Sequence, residues 1–336
     1  MKDFQQLWND WTWRGQVNEW AREALAHHDI LMGSDLEVTQ VRPWSIVLHT
    51  LTDAGKIYFK APPPVLIHEA QLTQALSQWF PQWIPEVLAV EPNEGWWLAH
   101  DGGESIRANV KATHDLSDWI QAVQLYAQLQ KGLVDHVPDM LALGVPDRRS
   151  HTLPAQLASL LEHPEMLLLD LPKGLTTDEF KRLKETQAPL AEWCGQLEAS
   201  KIPISLHHGD LNSGNVLKHG GHFAFVDWGD CSVAHPFSSL RTVLVSAEID
   251  LDLPDYSPKT APLRDAYLHA WTEYDSAENV MRDFRLAQRL SALVSALAWY
   301  NDLVELTEEE RAPYGYTVPS LLQEFLDADM EKYPFV

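Results

Sequence analysis

The chain has 336 residues, 45% of them hydrophobic, and a formal net charge of −23. That length supports one large domain or two lobes with a sizeable core. The acidic balance opposes a nucleic-acid backbone or an anionic membrane as partner and favours a neutral or cationic small molecule. The only two cysteines, Cys194 and Cys231, form neither a disulfide framework nor a zinc-site spacing. The start, Met1 to Gln5, has no apolar leader, and no apolar run reaches membrane-spanning length. The expectation is a soluble, cytoplasmic protein. The fourteen tryptophans are packing groups first; stacking on a ring or a sugar is their alternative use.

Residues 17–29 place Val17, Trp20, Ala21, Ala24 and Leu25 on one helical face. The texture then turns to β-branched and alternating residues, which predicts strands over 37–41, 46–51 and 56–60. The bends are Pro43-Trp44-Ser45 and Asp53-Ala54-Gly55. A helix over 65–79 follows three prolines. A strand pair over 86–91 and 95–100 turns at Pro92-Asn93-Glu94-Gly95. Asp101-Gly102-Gly103 breaks this pattern, and most of the chain beyond it is helical. Leu116, Trp119, Ile120, Val123, Tyr126 and Ala127 recur at helical spacing. Thr176 and Glu179 make a capping box for a helix over roughly 177–199, and residues 281–304 repeat apolar groups on one face. An island of strand, 215–217 and 223–226, interrupts the helices. The predicted class is α+β, with a small antiparallel sheet over 1–100 and a mainly helical part over 101–336.

The strand island is bracketed by two segments that carry chemistry. They are His208-Gly209-Asp210-Leu211-Asn212-Ser213-Gly214-Asn215 and Asp227-Trp228-Gly229-Asp230. Phosphoryl transfer needs a carboxylate to orient the attacking hydroxyl and hard oxygen ligands to hold Mg²⁺ on the phosphates. Asp210 is the candidate base; Asn215 and Asp227 are the candidate metal ligands. Lys60 ends a strand and Glu69 falls on the next helix, a pairing that would set an ammonium on the phosphates. Ala99 and His100, at the break between the two parts, are placed to hold an adenine through their backbone. His207, His208, His219 and His222 offer a competing reading, a hydrolytic metal site that would bind zinc or manganese and work without nucleotide.

These residues resemble the aminoglycoside phosphotransferase family, the small-molecule branch of the protein-kinase-like fold. The resemblance rests on Tyr58-Phe59-Lys60, His68-Glu69-Ala70, Trp96-Trp97-Leu98, the loop from His208 to Asn215, and Phe225 to Asp230. His235-Pro236-Phe237 stands where the family has Gly-Asp-Pro, without the aspartate. The resemblance implies a two-lobed enzyme using ATP (GTP in some members) and Mg²⁺. In it Asp210 is the base, Asn215 and Asp227 hold metal, and Lys60 paired with Glu69 binds phosphate. Asn212 replaces the lysine of protein kinases, which points to a small hydroxylated acceptor. The bend at residues 41–46 has no glycine, whereas kinases clamp phosphates there with a glycine-rich loop. That gap motivates the alternative, a nucleotide-binding pseudokinase or regulatory module without transfer activity.

Overall fold

The computed structural model describes residues 4–328. By its internal contacts the chain divides into two units, and neither is a single stretch. The first takes the chain up to Glu104, then Leu217–Gly229 and Glu305–Arg311. The second takes Ser105–Val216, Asp230–Val304 and the chain from Ala312.

The first unit is built on β1 (Glu37–Arg42), β2 (Ser45–Thr52), β3 (Gly55–Ala61), β4 (Val87–Glu91) and β5 (Trp96–His100). They form one sheet in the order β1-β2-β3-β5-β4, and every pairing is antiparallel. The expected meander and strand pair are present, with ends within a residue or two of expectation. Arg42 pairs with Ser45, so Pro43 and Trp44 alone make the first bend. A leading helix, Trp11–Ala26, begins six residues before the periodicity suggests. Asp10 caps it, accepting from the N–H of Thr12 (2.8 Å) and Trp13 (3.0 Å). Its Trp13 and Trp20 meet Phe59 and Trp96 edge-on, with ring centroids 5.8 to 6.4 Å apart. This cluster accounts for three of the tryptophans as packing groups.

After β3 come Pro62-Pro63-Pro64, a single 3-10 turn and the helix His68–Trp79. Further along, the short β6 (Glu104–Ser105) joins the hairpin made by β8 (Val216–His219) and β9 (His222–Phe225). The hairpin turns at Gly220 and Gly221, both at positive φ. The N–H of Phe225 donates to the Trp83 carbonyl at 2.8 Å, which ties the hairpin to the first unit.

The second unit is helical. Its core holds Trp119 and Tyr126 from Ser117–Gly132, Tyr267 from Ala261–His269, Phe284 from Ala277–Val304, and Trp271 and Phe237, all fully or nearly fully buried. The capping box at Thr176 and Glu179 is formed. The helix it starts is interrupted, however: Thr177–Glu185 stops, and Gln187–Glu198 begins again after Thr186. Pro189 is the reason, because it has no N–H to give to Glu185 four residues back. A two-stranded ladder, β7 (Ser205–His207) with β10 (Ser232–Ala234), sits in this core and sets the registers Ser232 to His207 and Ala234 to Ser205.

Candidate active site

In the second unit β7, paired with β10, leads into the loop that begins at His208. Gly209 makes the first turn at φ +83°, and a Cβ there would lie 2.1 Å from the carbonyl oxygen of Asp230. Only glycine fits. The loop behind it is laced by its own backbone: Asn212 N–H donates to the Asp210 carbonyl (2.8 Å), and Asn215 N–H to that of Asn212 (3.0 Å). The Thr242 hydroxyl caps the Gly209 carbonyl at 3.1 Å. His208 is fully buried, and its N–H donates to the Tyr126 hydroxyl at 3.1 Å. It braces the loop. His207 is buried beside the Ser239 hydroxyl (3.0 Å). Burial pushes its pKa down to about 3, helped by His208, Arg148 and Arg241.

Asp210 stands at the head of this loop. Its Oδ2 accepts from the side-chain nitrogens of Asn212 (2.8 Å) and Asn215 (3.0 Å). Two neutral amides therefore anchor one oxygen of the carboxylate. Asn215 also gives that nitrogen to the Asp210 carbonyl (2.9 Å), which turns its amide oxygen away from Asp210. Asn212 is the functional group that the sequence hides: its pattern shows only that a lysine is replaced, not that an amide holds the carboxylate.

In the first unit, Lys60 comes from β3, Glu69 from the first turn of His68–Trp79, and Asp227 from the segment after β9. The Lys60 Nζ lies 2.5 Å from Glu69 Oε1 and 2.5 Å from Asp227 Oδ1. Lys60 and Glu69 are buried, whereas the Asp227 side chain is 49% exposed. Burial works against the Lys60 ammonium, but the Asp227 and Glu69 carboxylates outweigh it and hold its pKa well above the ordinary range. Burial pushes Glu69 up, in spite of Lys60, and the negative charge of Asp227 adds to that. The cluster is two carboxylates around one ammonium, and the second carboxylate is the accessible one. Asp227 has φ +71°, a strained backbone for a residue with a side chain.

Ala99 and His100 belong to the first unit. Both lie in β5, flanked on either side by β3 and β4. The His100 N–H already donates to the Glu86 carbonyl at 3.0 Å, and the N–H of Asp101 to that of Lys56 at 3.1 Å. The His100 donor is therefore spent on the sheet. The chain leaves the ladder at Gly102, where a Cβ would lie 2.8 Å from Leu217 Cδ1 and 2.9 Å from Pro85 Cγ.

The accessible carboxylate of Asp227 in the first unit and the amide oxygen of Asn215 in the second are each hard oxygen donors of the kind that suits Mg²⁺. Among the described residues no three His, Cys, Asp or Glu side chains gather as a metal site. The four histidines are not a cluster: His207 and His208 are buried, His219 and His222 exposed.

Comparison with known proteins decides the family. The model of APH, the phosphotransferase enzyme family, matches residues 47–284, well over half of the chain. The chain belongs to this phosphotransferase family. Among solved structures, a choline kinase from Cryptosporidium parvum is similar at TM-score 0.62 and 13% identity, covering 94% of this chain and 95% of the other. An ethanolamine kinase from Plasmodium vivax is similar at TM-score 0.55 and 15% identity, covering 90% and 87%. An aminoglycoside 2'-phosphotransferase-IIIa in a GDP complex is similar at TM-score 0.56 and 14% identity, covering 94% and 98%. At these identities the likeness is one of fold, and the phosphotransferase-family chain has the kinase-like fold. No curated protein sequence matches significantly. Among the described residues no helix is long and apolar enough to cross a membrane.

Proposed function

We propose that this family member transfers the γ-phosphoryl group of ATP to a hydroxyl of a small molecule in the cytoplasm. The observation that carries the reading is Asp210, a carboxylate anchored through one oxygen by two amides on a loop that only glycine can start. A carboxylate so fixed can align an acceptor hydroxyl and take its proton as the new P–O bond forms and the bond to ADP breaks. The Lys60 ammonium, kept charged by its neighbours, suits the non-transferred phosphates. Asp227 and Asn215 would hold Mg²⁺, which when bound offsets the charge on the phosphates. The intact set of Lys60, Glu69 and Asp227 supports transfer over a binding-only module.

The second unit also contains a cavity of about 220 Å³. The helix Leu240–Asp250 reaches the Asp210 loop through Thr242 and turns Leu244, Val245 and Glu248 toward this cavity, opposite Phe284. Its arginines are engaged: Arg241 with Glu324 at 2.8 and 2.5 Å, Arg264 with Asp265 at 2.7 Å. Glu248, whose Oε1 accepts from the Ser257 N–H at 2.8 Å, and Asp255 add two carboxylates to its wall. Burial pushes Glu248 up, and a cationic guest would pull it back. This favours a compact amino alcohol as acceptor. The test is ADP release from MgATP across a panel of amino alcohols, sugars and hydroxylated antibiotics. The expected result is a hit that disappears in Asp210→Asn. ATP binding with no transfer to any acceptor, or a hit that persists in that variant, would refute the reading.

A further inference from the structure

We infer that Arg107, 105 positions before Asn212, is a positioning residue for Asp210 and acts through the amide of Asn212. This rests on the reading of Asp210 given above. An asparagine amide can sit either way round, and only one way gives a carboxylate a donor. The far end of Asn212 settles the choice. Its Oδ1 accepts from Arg107 Nη2 (2.5 Å) and from the Gly214 N–H (2.8 Å). Both partners can only donate, so the oxygen must face them and the nitrogen must face Asp210.

Arg107 is in turn fixed by a directed chain. Its N–H donates to the Ser105 hydroxyl at 3.2 Å, and that hydroxyl donates to the Ser213 carbonyl at 3.1 Å. Its Nε–H donates to the Ser213 hydroxyl at 3.1 Å. The Ser213 hydroxyl gives its own proton to the buried carboxylate of Asp250. Asp250 accepts only, so Ser213 must present a lone pair to Arg107. Asp250 also lies 3.9 Å from Arg107 Nε and 3.7 Å from Lys111 Nζ, close enough to hold both cations on this side of the loop. Every donor in the sequence Arg107, Asn212, Asp210 has one permitted direction. Arg107 is half-exposed, so its contribution is orientation rather than packing.

The experiment uses the full chain with MgATP and the acceptor hit from the panel. Arg107→Ala is expected to lower kcat ~10- to 100-fold, the cost of a loosened reacting group. KM for ATP and acceptor should stay within about twofold. Arg107→Lys should recover part of kcat, since an ammonium can still donate to Asn212 but cannot serve Ser213 in the same geometry. In the double variant Arg107→Ala with Asn212→Ala, kcat should be no lower than in Asn212→Ala alone. Unchanged kcat in Arg107→Ala, a loss carried by KM, or multiplicative losses in the double variant would overturn the inference. A crystal structure of Arg107→Ala is the second measurement. It should show Asn212 turned and Asp210 displaced; an unmoved pair would overturn the inference whether or not an acceptor is found. Absence of transfer in the wild type would instead count against the proposed function alone.

Discussion

The two clusters hold their carboxylates by opposite means. Lys60, Glu69 and Asp227 are bound by charge, with an ammonium 2.5 Å from each of two carboxylates and little water around two of the three. Asp210 is bound by neutral dipoles, two amides and a backbone turn. Charge in a buried place is costly to unbalance. A neutral scaffold tolerates loss of the charge it carries. The first cluster should therefore couple activity to stability, and the second should separate them.

The largest effect expected is on Asp210. Asp210→Asn should reduce turnover ~10³-fold or more, the scale of losing a contact specific to the transition state, with little change in thermal stability. A parallel fall in Tm would erase the contrast. Lys60→Met should reduce turnover and also destabilise the fold by about 3–5 kcal/mol, because Glu69 is left buried and unpaired. Removing both, Lys60→Met with Glu69→Met, should recover much of that stability but not the activity; denaturant titration of the three proteins checks it. Gly209→Ala should cost at least about 2 kcal/mol through strain at positive φ and the clash with Asp230, with loss of turnover.

At neutral pH the smallest effect is the one carried by the buried histidines, and it grows into a slope as pH falls. Burial lowers His68 to about 4, and His207 and His235 to about 3. Each group is neutral in the folded chain and titrates at about 6.5 when unfolded. The unfolded chain therefore binds more protons between about pH 6.5 and those lowered values, and stability must fall as pH drops through that window. It is fully present above about pH 6.5. At about pH 5 the cost is about 2 kcal/mol for each histidine, from about 1.36 kcal/mol per unit. Urea titrations at neutral and mildly acidic pH measure it, and His207→Asn should flatten the slope.

Local signals are legible in the sequence, and distant ones are not. The strands, the loop from His208 to Asn215 and the capping box at Thr176 follow from neighbours a few residues apart. The break at Thr186 escapes the pattern because apolar periodicity runs through Pro189 although the backbone bond does not. Trp11 is 83% exposed, so the first residue of the leading helix gives no apolar signal; the start is marked by the cap at Asp10, with Trp13 the first buried residue of the stripe. The hairpin over 217–229 reads as an island among helices, yet it packs with the sheet. Lys60 and Asp227 are 167 positions apart, and no pattern announces that they touch. Arg107 carries no motif at all; only the fold brings it to Asn212.

The connection between Lys60 and Glu69 has a consequence for control. Kinases can be silenced by moving the glutamate-bearing helix away from its lysine. Here nine positions separate the two residues, and three consecutive prolines take up part of that length. Each proline locks one torsion of the tether. Three locked torsions leave the joint little slack for such a swing, which favours a fixed ion pair over a switch. Control of this phosphotransferase-family chain would then act elsewhere than at this joint.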